Sequence, residues 1–153
     1  MNKKNFIQLV IAFGFSIPSF FFSLYEGSHL ILDSFDWVHT TKFTHFINAN
    51  PNLPSDISNV DFFIYAVKFR PFFPIVFLIT FLYGLFLLLL ILQKKYEFVN
   101  KISMLLGLIL MIVSVFLFST LTIGTTLFSS ISLLYSLCFL LSPLITKKSL
   151  KDV

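Results

Sequence analysis

Charged residues are scarce in this sequence. Asp, Glu, Lys and Arg make up 12% of its 153 residues, whereas a soluble domain carries roughly 25%. Hydrophobic residues account for 57%, and the mean hydropathy is +0.92. In water such a chain would expose far more contiguous apolar surface than the roughly few hundred Å² that a soluble monomer tolerates. We therefore expect a single membrane domain over residues 1–153, with the lipid bilayer as its surroundings.

Cysteine is almost absent, because Cys138 is the one thiol in the chain. A single cysteine excludes an internal disulfide and any C-x-x-C redox or zinc site. The formal net charge of +4 comes from short basic clusters at the ends of apolar runs, not from one basic face. This distribution indicates membrane topology and predicts no nucleic-acid partner.

Four apolar runs are long enough to cross, as helices, a hydrocarbon core of roughly 30 Å. The first follows Lys3 and Lys4 and precedes no small-residue cleavage site, so we expect a retained anchor and not a signal peptide. The sequence thus predicts an all-α integral membrane fold, a bundle of four transmembrane helices. The predicted spans are residues 5–24, 71–92, 102–119 and 125–145.

The basic residues set the expected orientation, because Lys and Arg near span ends are retained in the cytoplasm. An N-terminus inside leaves only Lys42, Lys68 and Arg70 outside. We therefore expect a multi-pass plasma-membrane protein with both termini cytoplasmic and an outer segment of residues 26–70. The eight basic residues placed inside are Lys3, Lys4, Lys94, Lys95, Lys101, Lys147, Lys148 and Lys151.

No Asp, Glu, Lys, Arg or His occurs within the four runs, which argues against an ion-coupled transporter. The last two runs instead carry small residues at spacings that place them on one helix face. We interpret these as helix-packing positions, with a polar ligand groove as the alternative. They are Ser103, Gly107 and Ser114 on the third run, and Thr125, Ser129, Ser132 and Ser136 on the fourth.

The outer segment holds all three histidines and the only tryptophan. Aromatic and β-branched residues alternate over residues 37–47, which favours a short β-strand, with a helix capped by Asp36 as the alternative. His39 and His45 would lie about 20 Å apart along a strand, too far to share a metal ion. Because no nucleophile, oxyanion hole or phosphate loop accompanies the carboxylates, we expect no cofactor, no metal and no enzyme activity.

Residues 57–69 carry apolar side chains at helical spacing and predict an amphipathic juxtamembrane helix, capped by Ser55 or Asp56. Pro71 should end or bend this helix before the second span. Its apolar stripe, which includes Val60 and Ile64, would pack on the bilayer or the bundle. The helix would then be a fixed platform on which residues 37–47 pack.

Residues on the other face of this helix are the candidate binding residues. Asp61 and Tyr65 would face outward and, together with Trp37, would remain available to a partner. Lys68 and Arg70 would reach the outer headgroups and are candidate membrane-interface residues.

Two short motifs carry a family resemblance. One is Tyr25-Glu26-Gly27-Ser28, and the other runs from Asp61 through FIYAVKFRPFFP at residues 63–74. Over residues 1–90 the chain resembles an uncharacterised family of small multi-pass membrane proteins from spore-forming Gram-positive bacteria, classed as a domain of unknown function. The resemblance implies a bacterial plasma-membrane protein with no assigned activity.

We expect a non-enzymatic binding or accessory protein of the cell envelope, acting through residues 26–70 on another membrane or envelope protein. The alternative is a passage or accessory subunit for a small neutral or apolar solute. That alternative depends on the hydroxyl-bearing faces of the last two runs.

Reporter fusions after Asn50 and after Val153 test the predicted orientation. A reporter that is active only outside the cytoplasm should be active at the first position and silent at the second, because positive charge is concentrated around the termini. A reporter active only in the cytoplasm should give the reverse pattern. An external C-terminus would contradict the topology.

Overall fold

The computed structural model of the protein describes residues 2–32, 41–48, 53–120 and 122–151. Within these ranges the regular structure is helical and contains no β-strand. Four of the helices are long and apolar enough to cross a membrane, which agrees with the predicted runs. The helices are α1 (Lys3–Gly27), α2 (Lys42–Ile47), α3 (Asn59–Phe69), α4 (Phe72–Gln93), α5 (Phe98–Phe118) and α6 (Ile123–Lys151), with 3₁₀ turns at Ser28–Leu32 and Pro54–Asp56.

Helix α4 is the central helix of the bundle. It packs against α1 and also against the antiparallel hairpin formed by α5 and α6. Its sequence is apolar on every side, as expected of a helix with no face directed to water. Leu78, Leu82 and Leu89 of α4 form the core together with Phe128 and Phe139 of α6.

Hydroxyl groups join α5 to α6. Ser114 Oγ donates to the Ser129 carbonyl at 2.9 Å, and Ser136 Oγ donates to the Gly107 carbonyl at 2.9 Å. Ser132 is also buried, but its hydroxyl bonds within its own helix, to the Phe128 carbonyl at 2.8 Å. Small side chains at these positions let the two backbones approach closely.

A second group of polar contacts replaces the backbone hydrogen bond that Pro143 removes from α6. Proline has no N–H, so the Phe139 carbonyl four residues back loses its helical donor. Ser103 of α5 donates to that carbonyl at 3.0 Å, and Ser142 donates to it at 2.9 Å. The Gln93 amide of α4 donates to Ser142 at 2.8 Å, which ties three helices together near their lysine-rich ends.

Helix α3 packs on the opposite end of the bundle, where α1 ends and both α4 and α6 begin. The Phe63 ring lies 5.9 Å from Phe20 of α1, 5.8 Å from Phe77 of α4 and 6.3 Å from Phe128 of α6. Aromatic pairs at such separations contribute about 0.5–1.5 kcal/mol each beyond their buried area. One side chain of α3 therefore anchors it to three of the long helices.

Two glycines allow α3 to approach the bundle at backbone distance. A Cβ added at Gly27 would collide with the Phe62 carbonyl, and one added at Gly124 would collide with the Val67 carbonyl. Only glycine leaves room for such an approach. Gly27 and Gly124 thus fix α3 between the end of α1 and the beginning of α6.

The predicted strand over residues 37–47 was wrong in its described part, because Lys42–Ile47 is a helix. Residues 37–40 lie outside the described residues, and so does Asp36, the cap considered for a helix. The alternation of residue types that favoured a strand reflects only neighbouring residues. The helix Lys42–Ile47 is stabilised by hydrogen bonds to α3, which is distant in the sequence.

The predicted juxtamembrane helix exists, but its start and its buried face differ from the prediction. It begins at Asn59, and its cap is Ser58, whose hydroxyl accepts from Val60 N at 3.2 Å. Val60 is 48% exposed, whereas Asp61 is completely buried. The face that packs therefore includes Asp61 and not Val60. As predicted, the helix ends before Pro71, at Phe69. It is separate from α4, which the sequence left open because Pro71 could also have bent one continuous helix.

Replacing Gly124 with alanine tests the close approach of α3. The added methyl group would meet a backbone carbonyl that cannot move without displacing α3, so we expect a loss of about 1–3 kcal/mol in the free energy of unfolding. The measurement is the thermal midpoint of the detergent-purified protein. Gly14→Ala is the matched control, since a Cβ there meets nothing within 4 Å. Equal midpoints for the two variants would contradict the packing described at Gly124.

Candidate functional site

The described part of residues 41–69 is organised around the carboxyl group of Asp61, in the first turn of α3. This group is completely buried and accepts three hydrogen bonds from α2. The donors are Phe43 N at 3.2 Å, Thr44 N at 2.6 Å and Thr44 Oγ1 at 2.7 Å. The first N–H groups of a helix have no acceptor within that helix. Asp61 therefore caps α2 from a neighbouring helix, since Thr41 makes no side-chain capping bond.

Thr44 connects the beginnings of two helices. Its buried hydroxyl donates to Asp61 and accepts from Ser58 N at 2.9 Å. Ser58 is in turn the cap of α3. A carboxyl oxygen, a hydroxyl and a backbone N–H thus form one connected group, called here the Asp61 cluster: Asp61, Thr44, Ser58 and the Phe43 backbone. Each buried polar atom in these contacts has a partner, as a buried cluster requires.

The Asp61 cluster holds a helix that displays apolar side chains. Isolated helices shorter than about 12–15 residues are marginal in water, and α2 has only 6. Its exposed residues are Lys42, His45 and three apolar residues, with Phe43 49%, Phe46 91% and Ile47 78% exposed. The buried polar contacts of α2 thus hold a helix that exposes three apolar side chains at helical spacing. We call Phe43, Phe46 and Ile47 the α2 surface.

The predicted partner-binding residues take different positions. Asp61 was expected to face outward, and that expectation was wrong because its carboxyl group caps α2 inside the outer segment. Tyr65 is half-buried, and its ring lies 4.8 Å from that of Phe69. Trp37 lies outside the described residues.

The predicted interface cations lie at the junction of α3 and α4. Lys68 is half-buried in the last turn of α3, and Arg70 is exposed between the two helices. Their contact with headgroups stays a prediction.

Among the described residues, no group of three or more His, Cys, Asp or Glu side chains could hold a metal ion. His29 and His45 belong to this described part, and the His29 Nδ1 atom lies 3.1 Å from the Glu26 carbonyl oxygen. His39 falls outside it. The expectation that the protein has neither metal nor cofactor therefore stays a prediction.

The sequence contained one signal for this site that our interpretation missed. Ser58-Asn59-Val60-Asp61 matches the S-x-x-[DE] pattern of a capping box before an apolar run. That pattern places the start of the helix at Asn59, as observed. In the structure Asp61 bonds to α2 and not to the Ser58 N–H. The pattern therefore predicts where the helix begins, but it does not predict which donors the Asp61 carboxyl group binds.

The fold and the site define a class: a helical protein with four apolar, span-length helices and a structured segment packed on one end of them. The chain belongs to the family described as "Domain of unknown function (DUF4306)", which matches residues 6–93. The protein YjdJ of Bacillus subtilis (strain 168), described as uncharacterized, is 41% identical over 92 residues, covering 54% of this chain and 84% of that protein. No solved structure matches the chain. These findings confirm the family resemblance.

The family match divides the structure at a helix end. It stops at Gln93, the last residue of α4, and therefore contains α1 from Phe6 onward, α2, α3, α4 and the whole Asp61 cluster. Helices α5 and α6 lie outside it. The hydroxyl contacts between α5 and α6 are thus features of this chain beyond the matched region.

Removing the Asp61 carboxyl group should release α2. In Asp61→Ala the Phe43 and Thr44 N–H groups lose their acceptor, and hydrogen bonds to a charged group are worth roughly 1.5–3 kcal/mol each. We expect the free energy of local opening to fall by about 2–4 kcal/mol, since such contributions are not additive. The measurement is the rate of trypsin cleavage after Lys42, an exposed residue of α2, in the detergent-purified protein.

A pair of Thr44 variants controls for the loss of side-chain volume. Thr44→Val should also accelerate cleavage, because the valine side chain can neither donate to Asp61 nor accept from Ser58 N, although its backbone N–H can still donate to Asp61. Thr44→Ser keeps the hydroxyl and should resemble the parent. If Asp61→Ala were as resistant as the parent protein, the Asp61 cluster would not be what holds α2.

Proposed function

We propose that this protein is a multi-pass membrane protein, with both termini cytoplasmic, whose outer segment binds another membrane or envelope protein without catalysing a reaction. The observation that carries the proposal is the α2 surface, an apolar surface on a helix held by a buried carboxyl group. A helix with only a packing role would bury its aromatic side chains. Here the buried residue of α2 is the polar Thr44, whereas three of its exposed side chains are apolar.

A fixed apolar surface suits partner binding in energetic terms. Binding costs about 0.5–1.5 kcal/mol for each side chain that must be immobilised, and a helix already held in place reduces this cost. Aromatic side chains are also over-represented among the residues that dominate interface energies. Phe43 and Phe46 of the α2 surface meet both conditions. Trp37 and Tyr65 remain candidate partner-binding residues.

The charge of the outer segment favours a protein partner over the bilayer surface. Residues 26–70 contain five carboxylates against Lys42, Lys68 and Arg70, a net charge of −2. An acidic segment is repelled by anionic lipid headgroups, which attract basic segments. We therefore assign the α2 surface to a protein partner.

The membrane location rests on three features. Four helices have the length and hydropathy to cross a bilayer. Their outer faces carry exposed apolar side chains such as Phe15, Phe116 and Leu134. The excess of basic residues near the termini and at Lys94 and Lys95 supports the cytoplasmic position of both ends.

Passage of a neutral solute has no comparable support. It depended on free hydroxyl groups along α5 and α6, but Ser114 and Ser136 donate to carbonyls of the neighbouring helix. Ser103 donates to the carbonyl exposed by Pro143. These hydroxyls are used in helix packing, so no observation favours this second function.

Photocrosslinking from α2 tests the proposed function in cells. A photoreactive phenylalanine analogue at Phe46 should form an adduct with one defined protein, because that side chain is 91% exposed on the α2 surface. The adduct should disappear when Asp61→Ala is added, since that change releases α2.

The same analogue at Phe116 of α5 is the matched control. Phe116 is an exposed phenylalanine on a span-length helix and should yield lipid adducts. If position 46 also yields lipid adducts only, the outer segment lies in the headgroup layer and the proposed partner binding is wrong.

A further inference from the structure

Two cavities lie along the same three helices, α1, α4 and α6. One, of about 490 Å³, lies near the lysine-rich ends, and the other, of about 360 Å³, lies nearer the middle of the helices. The first is lined by Asn2, Asn5, Leu87, Leu90, Ile91, Lys94, Ile145 and Thr146, and the second by Gln8, Ile11, Ala12, Phe15, Ile79, Thr80, Tyr83 and Tyr135.

The lining residues follow one face of each helix. On α4 they run from Ile79 through Tyr83 and Leu87 to Lys94 at steps of three or four residues, the spacing that keeps side chains on one face of a helix. On α1 the positions from Asn2 to Phe15 follow the same spacing. The two cavities therefore follow one another along the same helix faces, and together they are called the α1–α4–α6 groove.

The length of the groove matches one leaflet of a bilayer together with its headgroup layer. From Ile79 to Lys94 helix α4 rises roughly 22 Å at about 1.5 Å per residue. The hydrocarbon part of one leaflet is about 15 Å, half of the roughly 30 Å core. A groove that begins at Lys94 can thus receive a headgroup at its mouth and an acyl chain along its length.

The charged group of the groove lies at one end. The Lys94 ammonium and the amides of Asn2 and Asn5 lie at its mouth beside Leu87 and Ile91, and the second cavity has uncharged side chains, both polar and apolar. The surroundings of the mouth are basic, since Lys3, Lys4 and Lys95 lie at the same ends and Glu97 is the only carboxylate between residues 71 and 151. Basic pockets between helices on the cytoplasmic side bind anionic lipid headgroups.

We propose that the α1–α4–α6 groove binds one anionic glycerophospholipid. Its phosphate pairs with Lys94 and accepts hydrogen bonds from the Asn2 and Asn5 amides. One acyl chain lies on Leu87 and Ile91 and reaches toward Tyr83. The site requires the membrane location proposed above, but it does not require that the outer segment bind a partner.

One wall of this groove lies outside the family match. Ile145, Thr146 and Tyr135 belong to α6, whereas α1 and α4 lie almost entirely within residues 6–93. The Tyr135 hydroxyl donates to the Ile79 carbonyl at 3.2 Å and joins α6 to α4 beside the groove. The hairpin thus completes a lipid site that α1 and α4 alone leave open on one side.

Native mass spectrometry of the full chain in mixed micelles tests this site. The lipids are phosphatidylglycerol and phosphatidylcholine with identical acyl chains. One phosphatidylglycerol molecule should bind in preference to phosphatidylcholine, and Lys94→Gln should reduce that preference about fivefold, the factor expected for one charge near an anionic surface. Leu87→Trp should fill the groove and reduce the binding of both lipids.

Two control variants separate a defined site from general attraction. Lys95→Gln removes the neighbouring charge, which lies over the Tyr96 ring at 5.2 Å and does not line the groove, so the preference should persist. Ile112→Trp adds the same bulk to an exposed position of α5 and should leave lipid binding unchanged. A second groove variant, Leu90→Trp, should repeat the effect of Leu87→Trp at an unchanged thermal midpoint.

Three results would overturn the proposal. First, Lys95→Gln and Lys94→Gln could reduce the preference for phosphatidylglycerol equally. Second, lipid binding could be unchanged in both Leu87→Trp and Leu90→Trp. Third, the parent protein could show no preference for phosphatidylglycerol. Each is independent of crosslinking from Phe46, which tests partner binding. If the parent protein were absent from the membrane fraction, the proposed membrane location would be wrong, and the lipid site, which requires that location, would be wrong with it.

Discussion

The outer segment depends on one constraint, which is that a buried carboxyl group must have its hydrogen bonds satisfied. An unpaired charge in the interior is far more costly than the hydrogen bonds that satisfy it are stabilising. The Asp61 carboxyl group can meet this requirement only if donors come to it, and the donors are Phe43 N and the Thr44 N–H and hydroxyl. The position of α2 and the inward face of α3 follow from that requirement. With Asp61 turned inward, Val60 is turned outward, although hydrophobicity alone predicts the reverse.

The span-length helices were predictable because the signal for them is local. A span needs a continuous apolar run, and the predicted residues 71–92 differ from the observed Phe72–Gln93 by a single residue at each end. The other bounds were less accurate. Helix α5 begins at Phe98, before Lys101, and α6 continues to Lys151. Apolar runs mark the hydrocarbon core, but a helix can continue past it because long basic side chains extend to the headgroups.

The site was less predictable because its contacts join distant residues. Thr44 and Asp61 are 17 positions apart, and neither has a local pattern that names the other. The alternating sequence around Phe43 predicted a strand, since local preference is the only information in such a window. The start of α3 was the exception, because the S-x-x-[DE] pattern at Ser58 is local and identifies it.

The two proposed sites differ in how they relate to the family. The Asp61 cluster and the α2 surface lie within residues 6–93, so a role in partner binding would belong to the part of the chain that the family shares. The α1–α4–α6 groove needs residues of α6, which follow that region. Helix α4 connects the two, because its first turn follows α3 directly and Lys94 is the residue that caps its other end. A lipid held against α4 would therefore stabilise the same helix on which α3 rests, without touching the Asp61 cluster itself.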